Sequence, residues 1–331
     1  MPGITRPDVS AAMPDEVART IIAETYEASS ALALGRRLNM GTKALRMPAL
    51  AAFPTASWVG EGDTAVKPST VIKLDAYMIN AEELAAIVRA PEQLLDDLTF
   101  DLWAQVRPAI VAAFAQKIDQ AVFFGVNKPT IFPTGLVQQA IAAGNVITGG
   151  TGPDLAYDTS LAMGTVELSG YDVTGFAGGV GVRATLRNMR NADGTPIYQP
   201  ALTGGTPNTL YGLPIRTIRN GTWNPNLAQL VTGDFSYLVC GVRQDITWRV
   251  SDDAVVDGIS LFQTDQVALR CVMRMGWVAV NPITQEAPNW STGGRFPFGV
   301  VTPEPPLEDS ETESETRSAP SGSKKAGEKA S

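Results

Sequence analysis

The sequence predicts an α+β fold in which one long helix lies against strands that come both before and after it. Three observations predict this. Apolar residues recur at helical spacing from Leu94 to Phe124. Stretches on either side of that run, Thr70–Met78 before it and Val267–Val280 after it, have the character of strands. Between the helix and the later strands lies a glycine-rich region in which short helices and strands are mixed.

The helix carries Leu94, Leu98, Leu102, Val106, Ile110, Phe114, Ile118 and Val122 along its apolar side, and Gly125 ends it as a C-cap. At 1.5 Å per residue it would span about 45 Å. A strict four-residue spacing drifts by about 40° per step on a 3.6-residue helix. The two ends must therefore bury different faces unless Pro108 kinks the helix. Such a backbone suits a chain built for assembly, and equally the core of an ordinary enzyme.

The remaining elements follow in order. Residues 1–40 read as an N-terminal arm: an extended start, then a helix opened by Pro14-Asp15-Glu16 and closed near Gly35. Residues 41–90 read as strands interrupted by Trp58-Val59-Gly60-Glu61-Gly62 and Val66-Lys67-Pro68-Ser69, a projecting loop or hairpin tip. Trp58 there either anchors a partner or folds back onto its own domain. Residues 91–133 hold the long helix, and residues 134–245 form the mixed region. In that region a helix begins near Pro153, Val173–Val182 is a buried strand, Arg183–Met189 is a short helix and Asn220-Gly221 is a tight turn. Residues 246–284 return as strands. Residues 285–331 form a C-terminal extension, irregular over Trp290–Val300 and disordered by composition after about residue 303. Its acidic block from Glu304 to Glu315 precedes a basic tip at Lys324 and Lys325. This is either a solvated tail or a short electrostatic tether.

Composition restricts function. The formal net charge of −8 gives no overall basic field for nucleic acid, though a local basic face is allowed. The absence of histidine removes histidine-based triads, the commonest zinc sites and the usual general base near neutral pH. Cys240 and Cys271 form no CxxC and read as reduced core residues. No targeting segment or membrane helix is visible, and no cofactor or metal site is expected. Gly179-Val180-Gly181-Val182-Arg183-Ala184 fits GxGxxA. The acidic residue such a dinucleotide turn needs is not evident, so a packed strand-to-helix turn is the better reading. The sequence neighbours Asp96-Asp97 and Asp252-Asp253 read as a helix face and a loop.

The order of these parts resembles the major capsid proteins of tailed bacteriophages, which have the HK97-like capsid fold. The likeness rests on the Trp58–Ser69 loop, on Asp119–Gly125 followed by Pro133-Thr134-Gly135-Leu136, on Arg183–Arg187 with Asp193-Gly194 and Leu210–Ile215, and on Asp245–Val250 with Ala268–Pro282. The resemblance implies an N-terminal arm, an extended loop, a peripheral domain with a long spine helix, and an axial domain. It implies a non-enzymatic subunit that forms hexamers and pentamers of an icosahedral shell in the virion, assembled in the host cytoplasm around double-stranded DNA. By the same resemblance, Trp58, Glu61, Lys67 and Pro68 lie across a neighbouring subunit. The spine helix packs through Leu98, Leu102, Val106, Ile110, Phe114 and Ile118. Some members of the family join a loop lysine to an asparagine with help from a glutamate. Lys67 fits the lysine place, but Leu261–Val272 holds neither asparagine nor glutamate. No crosslink is expected, and packing or a decoration protein must hold the shell. The arm is too short to serve as a built-in scaffold, which implies a separate scaffold protein. The competing readings are an encapsulin-like compartment shell and an α/β enzyme.

Overall fold

From its first described residues the chain runs as α1 (Ser30–Leu34), β1 (Arg36–Asn39), β2 (Ala44–Leu50), β3 (Leu74–Asn80) and β4 (Glu82–Pro91) before it reaches the long helix α2 (Leu102–Asp119). The computed structural model describes residues 29–59, 69–93, 102–190, 193, 209–286 and 295–304. Beyond α2 come α3 (Leu136–Ala143), β5 (Val146–Thr148), α4 (Leu155–Leu168), β6 (Gly175–Gly179), α5 (Val180–Asn188), β7 (Thr209–Leu210) and β8 (Leu213–Ile218). The chain finishes with β9 (Leu230–Gly233), β10 (Leu238–Ser251), β11 (Val255–Val256), β12 (Ile259–Ser260), β13 (Gln266–Ala279) and β14 (Phe298–Thr302). The arrangement is the α+β fold expected.

A four-stranded sheet in the order β1-β10-β13-β4 carries the long helix. Strands β10 and β13 are antiparallel, and side chains alternate between the two faces. The inner face presents Leu238, Cys240, Val242, Leu269, Cys271, Met273, Met275 and Trp277 to Ile110, Phe114, Ile118 and Val122 of the helix region. Each such apolar side chain contributes about 1.5–3 kcal/mol by leaving water.

The helix runs unbroken through Pro108 from Leu102 to Asp119. It buries two adjacent tracks, Ile110–Phe114–Ile118 and Val111–Ala115–Asp119. A single π-helical turn, Gln120–Phe124, then buries Ala121, Val122, Phe123 and Phe124 in succession. The wider turn changes the buried face at the end of the helix, where the sequence pointed to Pro108. Gly125 stops the helix as expected, at φ 63°, the left-handed region that glycine enters without penalty.

The outer face of the same sheet is covered at one end by the root of the β2–β3 hairpin. Gly241 and Gly276 sit opposite each other on β10 and β13. Their missing side chains admit Met40 and Ile79: a Cβ on Gly276 would lie 2.1 Å from the Asn80 carbonyl oxygen, and one on Gly241 2.5 Å from Met40 Sδ.

The second sheet has six strands in the order β5-β14-β9-β6-β8-β7. It packs Phe176, Leu230 and Val301 against Leu155, Ala162, Val182 and Leu186 of helices α4 and α5. Here the structure corrects the reading of Trp290–Val300 as irregular. Phe298–Thr302 is a strand inserted between β5 and β9, parallel to one and antiparallel to the other. Further differences are smaller. Helix α5 starts at Val180 rather than Arg183. Strand β10 begins at Leu238, before the return of strands read at residue 246, and β1, within the stretch read as the N-terminal arm, pairs parallel with it. Residues Leu94 and Leu98, the arm before Ser29 and the tail after Glu304 lie outside the described residues. No described helix is long and apolar enough to cross a membrane.

Cys240 and Cys271 are buried and free. They face Trp277 and Trp248 across the β10–β13 ladder rather than each other. Burial pushes both thiols up to about 12. Neither thiol should therefore react with a maleimide at pH 7 in the folded subunit, and both should react in denaturant; thiol titration by mass spectrometry checks this. Gly276→Ala should destabilise the subunit by about 1–3 kcal/mol, because the added methyl meets backbone rather than a movable side chain; urea unfolding of the unassembled subunit measures it.

Candidate assembly surfaces

Three local arrangements determine what the molecule can offer a partner: the anchor at the end of the long helix, the network at the hairpin root, and the exposed hairpin itself.

The anchor is Asp119, a fully buried carboxylate. Its Oδ1 accepts hydrogen bonds from Ser29 Oγ at 2.7 Å and from the Ala31 backbone N–H at 3.0 Å. Its Oδ2 accepts from the Ser30 backbone N–H at 3.1 Å and from Asn220 Nδ2 at 2.7 Å. The carboxylate thus satisfies orphan donors in the first turn of α1 and ties it, the long helix and the turn after β8 into one unit. Burial pushes the Asp119 pKa up, and the donated hydrogen bonds oppose that shift. The clue in the sequence is an acid on the apolar track Val111–Ala115–Asp119.

The hairpin root is fixed by a second network. The Tyr77 hydroxyl accepts from the Asn281 backbone N–H at 3.0 Å. Asn281 Oδ1 accepts from Tyr171 Oη at 2.7 Å and from Arg295 Nε at 3.2 Å, and Asn281 Nδ2 donates to the Arg295 carbonyl at 2.9 Å. Tyr171 also stacks edge-on against Tyr237, with centroids 5.3 Å apart. Burial pushes Tyr77 up to about 12 and raises Tyr171 as well, so both stay protonated at neutral pH. These residues join the hairpin, the segment after β13 and the segment leading into β14. No short-range sequence pattern connects positions so far apart.

Beyond its root much of the hairpin is exposed. Among the described residues, strands β2 and β3 pair only with each other. Leu50, Val59, Val71, Ile72, Leu74 and Met78 are all exposed large hydrophobics. Trp58 is 105% exposed. Glu61, Lys67 and Pro68 lie outside the described residues. Of the expected helix-packing set, Ile110, Phe114 and Ile118 are buried and Val106 packs against the same core. Leu102 opens the helix, and Leu98 is not described.

At the GxGxxA turn Gly179 caps α5, and a Cβ there would lie 2.5 Å from Trp223 Cδ1, so the indole packs directly against the turn. Among the described residues no group of three or more histidine, cysteine, aspartate or glutamate side chains is placed to hold a metal.

The family model described as the phage capsid family matches residues 10–283. The chain belongs to the phage capsid family. It is 26% identical over 270 residues to the major capsid protein of Staphylococcus phage 80alpha, covering 79% of each chain. A solved structure from Microbacterium phage Oxtober96 superposes with a TM-score of 0.76 at 34% identity, covering 92% of this chain and 95% of the other. One from Mycobacterium phage Cain gives 0.75 at 33% identity, covering 84% and 90%. This capsid-family member is a structural shell subunit of the virion, an assembling component rather than an enzyme. The compartment-shell and α/β-enzyme alternatives are not favoured.

Asp119→Asn should destabilise the capsid subunit by about 3 kcal/mol, since either amide orientation turns a donor toward donors already in place. Urea unfolding of the unassembled subunit measures the loss.

Proposed function

We propose that this subunit builds an icosahedral shell of hexamers and pentamers around double-stranded DNA, with the β2–β3 hairpin as the extended loop that crosses a neighbouring copy. The observation that carries this reading is the fully exposed Trp58 on a hairpin that leaves a run of large apolar side chains in water. Soluble monomers rarely expose contiguous apolar surface of this kind, and partner contacts cover it. The four-stranded sheet with α2 acts as the peripheral domain and spine helix, and the six-stranded sheet as the axial domain.

Packaged DNA is held without sequence readout, through neutralised phosphates. The acidic block after Glu304 is repelled by DNA, which favours a tail on the outer surface. Lys67 has no asparagine–glutamate pair in Leu261–Val272 to join, so packing or a decoration protein stabilises the shell. A separate scaffold protein directs assembly in the host cytoplasm. Electron microscopy of the expressed chain, alone and with its neighbouring phage genes, tests the reading. Angular shells or rings of five and six support it, and small discrete oligomers in both conditions refute it.

Trp58→Ala should leave the melting temperature of the unassembled subunit unchanged while reducing the yield of shells by at least about tenfold, in line with loss of an aromatic anchor. Differential scanning fluorimetry and sucrose-gradient sedimentation separate the two effects.

A further inference from the structure

Asn220-Gly221 is the one asparagine–glycine pair in the sequence. It forms the turn after β8, and its asparagine is the group through which this turn reaches the Asp119 anchor. Asn220 Nδ2 donates to Asp119 Oδ2 at 2.7 Å, and Asn220 Oδ1 accepts from the Thr222 backbone N–H at 3.2 Å. Gly221 is exposed and sits at φ 71°, while Asn220 is half-buried. The pair combines two properties. It is chemically labile, because residue 221 has no side chain to shield its backbone nitrogen from the preceding amide. It is also structurally committed, because that amide supplies one of the four hydrogen bonds to a buried carboxylate.

The lability is a self-reaction that consumes only water. The Gly221 backbone nitrogen forms a bond to Asn220 Cγ. The Cγ–Nδ2 bond breaks, and the nitrogen leaves as ammonia, its third proton replacing the one lost from the Gly221 N–H. Water then opens the cyclic imide. Its hydroxyl adds to one of the two imide carbonyl carbons, and its remaining proton returns to the Gly221 nitrogen. Opening at Cγ leaves aspartate. Opening at the main-chain carbonyl leaves isoaspartate, with the chain running through Cγ.

The folded subunit opposes this reaction in two ways. An amide held at both its nitrogen and its oxygen must break two hydrogen bonds before it can turn toward the Gly221 nitrogen. The attack also develops negative charge on the Asn220 oxygen, close to a carboxylate already taken out of water. An unfolded chain has neither restraint. We propose that Asn220 is a spontaneous modification site, protected by the closed Asp119 anchor and disabling that anchor once modified. Either product carries a carboxylate where the amide donor stood. Two like charges in one buried site cannot both stay ionised without a large penalty, and Asp119 Oδ2 loses a donor as well. A chain that lingers unfolded thereby loses the means to join arm, helix and turn. A chain that folds promptly protects the amide on which its own fold depends.

The test follows the full parent chain, folded and in urea at the same mildly alkaline pH, by mass spectrometry of the peptide holding residue 220. Conversion should run at least about tenfold faster in urea, since in the folded subunit only opened molecules react. In water labelled with heavy oxygen, each converted peptide should gain one labelled oxygen and lose one ammonia. Gly221→Ala in urea, where the native φ imposes no strain, should convert more slowly than the parent because its methyl shields the nitrogen. Asn220→Asp, the aspartate product made genetically, should lower the folding equilibrium constant at least about tenfold, the modest end of like-charge repulsion in a buried site. Asn220→Ser, which keeps an uncharged donor, should lose less. Equal conversion rates in the folded and unfolded parent overturn the proposal, as does a Gly221→Ala chain that converts as fast as the parent. An Asn220→Asp chain as stable as the parent also overturns it. So does an Asn220→Ser chain as unstable as Asn220→Asp, because charge is then not what disables the anchor. The rate comparison uses the parent chain alone and decides the protection whether or not a variant folds.

Discussion

A buried carboxylate holds this subunit together. Asp119 sits at the last α-helical residue of the long helix, where the chain must leave one sheet and enter the other. Taking a carboxylate out of water costs several kcal/mol, and only a complete set of donors offsets it. Two backbone N–H groups of α1, the Ser29 hydroxyl and the Asn220 amide supply that set. No neutral side chain of similar size accepts four hydrogen bonds with two oxygens. The requirement fixes three distant segments at once: the end of the arm, the end of the helix and the turn following β8. Once they are fixed, the π turn can bury Phe123 and Phe124 around Trp223, at centroid distances of 5.8 and 5.2 Å. The second sheet then continues from a defined position.

The four-stranded sheet turns that rigidity into a shape suited to assembly. Its inner face is spent on the helix. Its outer face is spent only where Gly241 and Gly276 let the hairpin root approach. The root is further tied through Tyr77 to Asn281, and through Asn281 to Tyr171 and Arg295. Distal to that tie the described chain is held together by the β2–β3 ladder and by hydrogen bonds between Thr55 and Thr70. The subunit is therefore a firm body with a hairpin anchored at its root and exposing a run of large apolar side chains. A lone enzyme domain would have no use for such surface, whereas a shell subunit gains neighbours by it.

Much of this was legible in the sequence, for reasons that particular residues make plain. The helix could be read because its apolar side persists over many turns and Gly125 supplies a physical stop. Trp58 could be singled out because glycines, charges and a proline surround it, but its exposure could not, since burial is a tertiary outcome. Strand β14 was missed because Phe298–Thr302 is short and follows Pro297; only its neighbours β5 and β9 make it a strand. Strand β1 was missed because Arg36-Arg37-Leu38-Asn39 has no alternation of its own and takes its conformation from pairing with β10. The Asp119 and Asn281 networks were not legible at all. The Asp119 network joins residues 88 to 101 positions away and the Asn281 network residues up to 204 positions away, and one acid in an apolar track is the only local trace either leaves.

On the proposed reading, one sequence must serve rings of five and six copies. Such rings would need different rotations between neighbouring bodies, so a contact spread rigidly over the whole body could satisfy only one of them. A contact made by the hairpin would be mechanically separate from the body-to-body angle. The hairpin is fixed to its own body at Gly276 and Asn281, and its apolar run and Trp58 lie beyond that fixture. A two-stranded ribbon twists readily, because no further strand or packed layer restrains it. On that reading the hairpin would keep its contacts while the bodies turn against each other, and the helix, the sheets and the Asp119 anchor would stay the same in every copy.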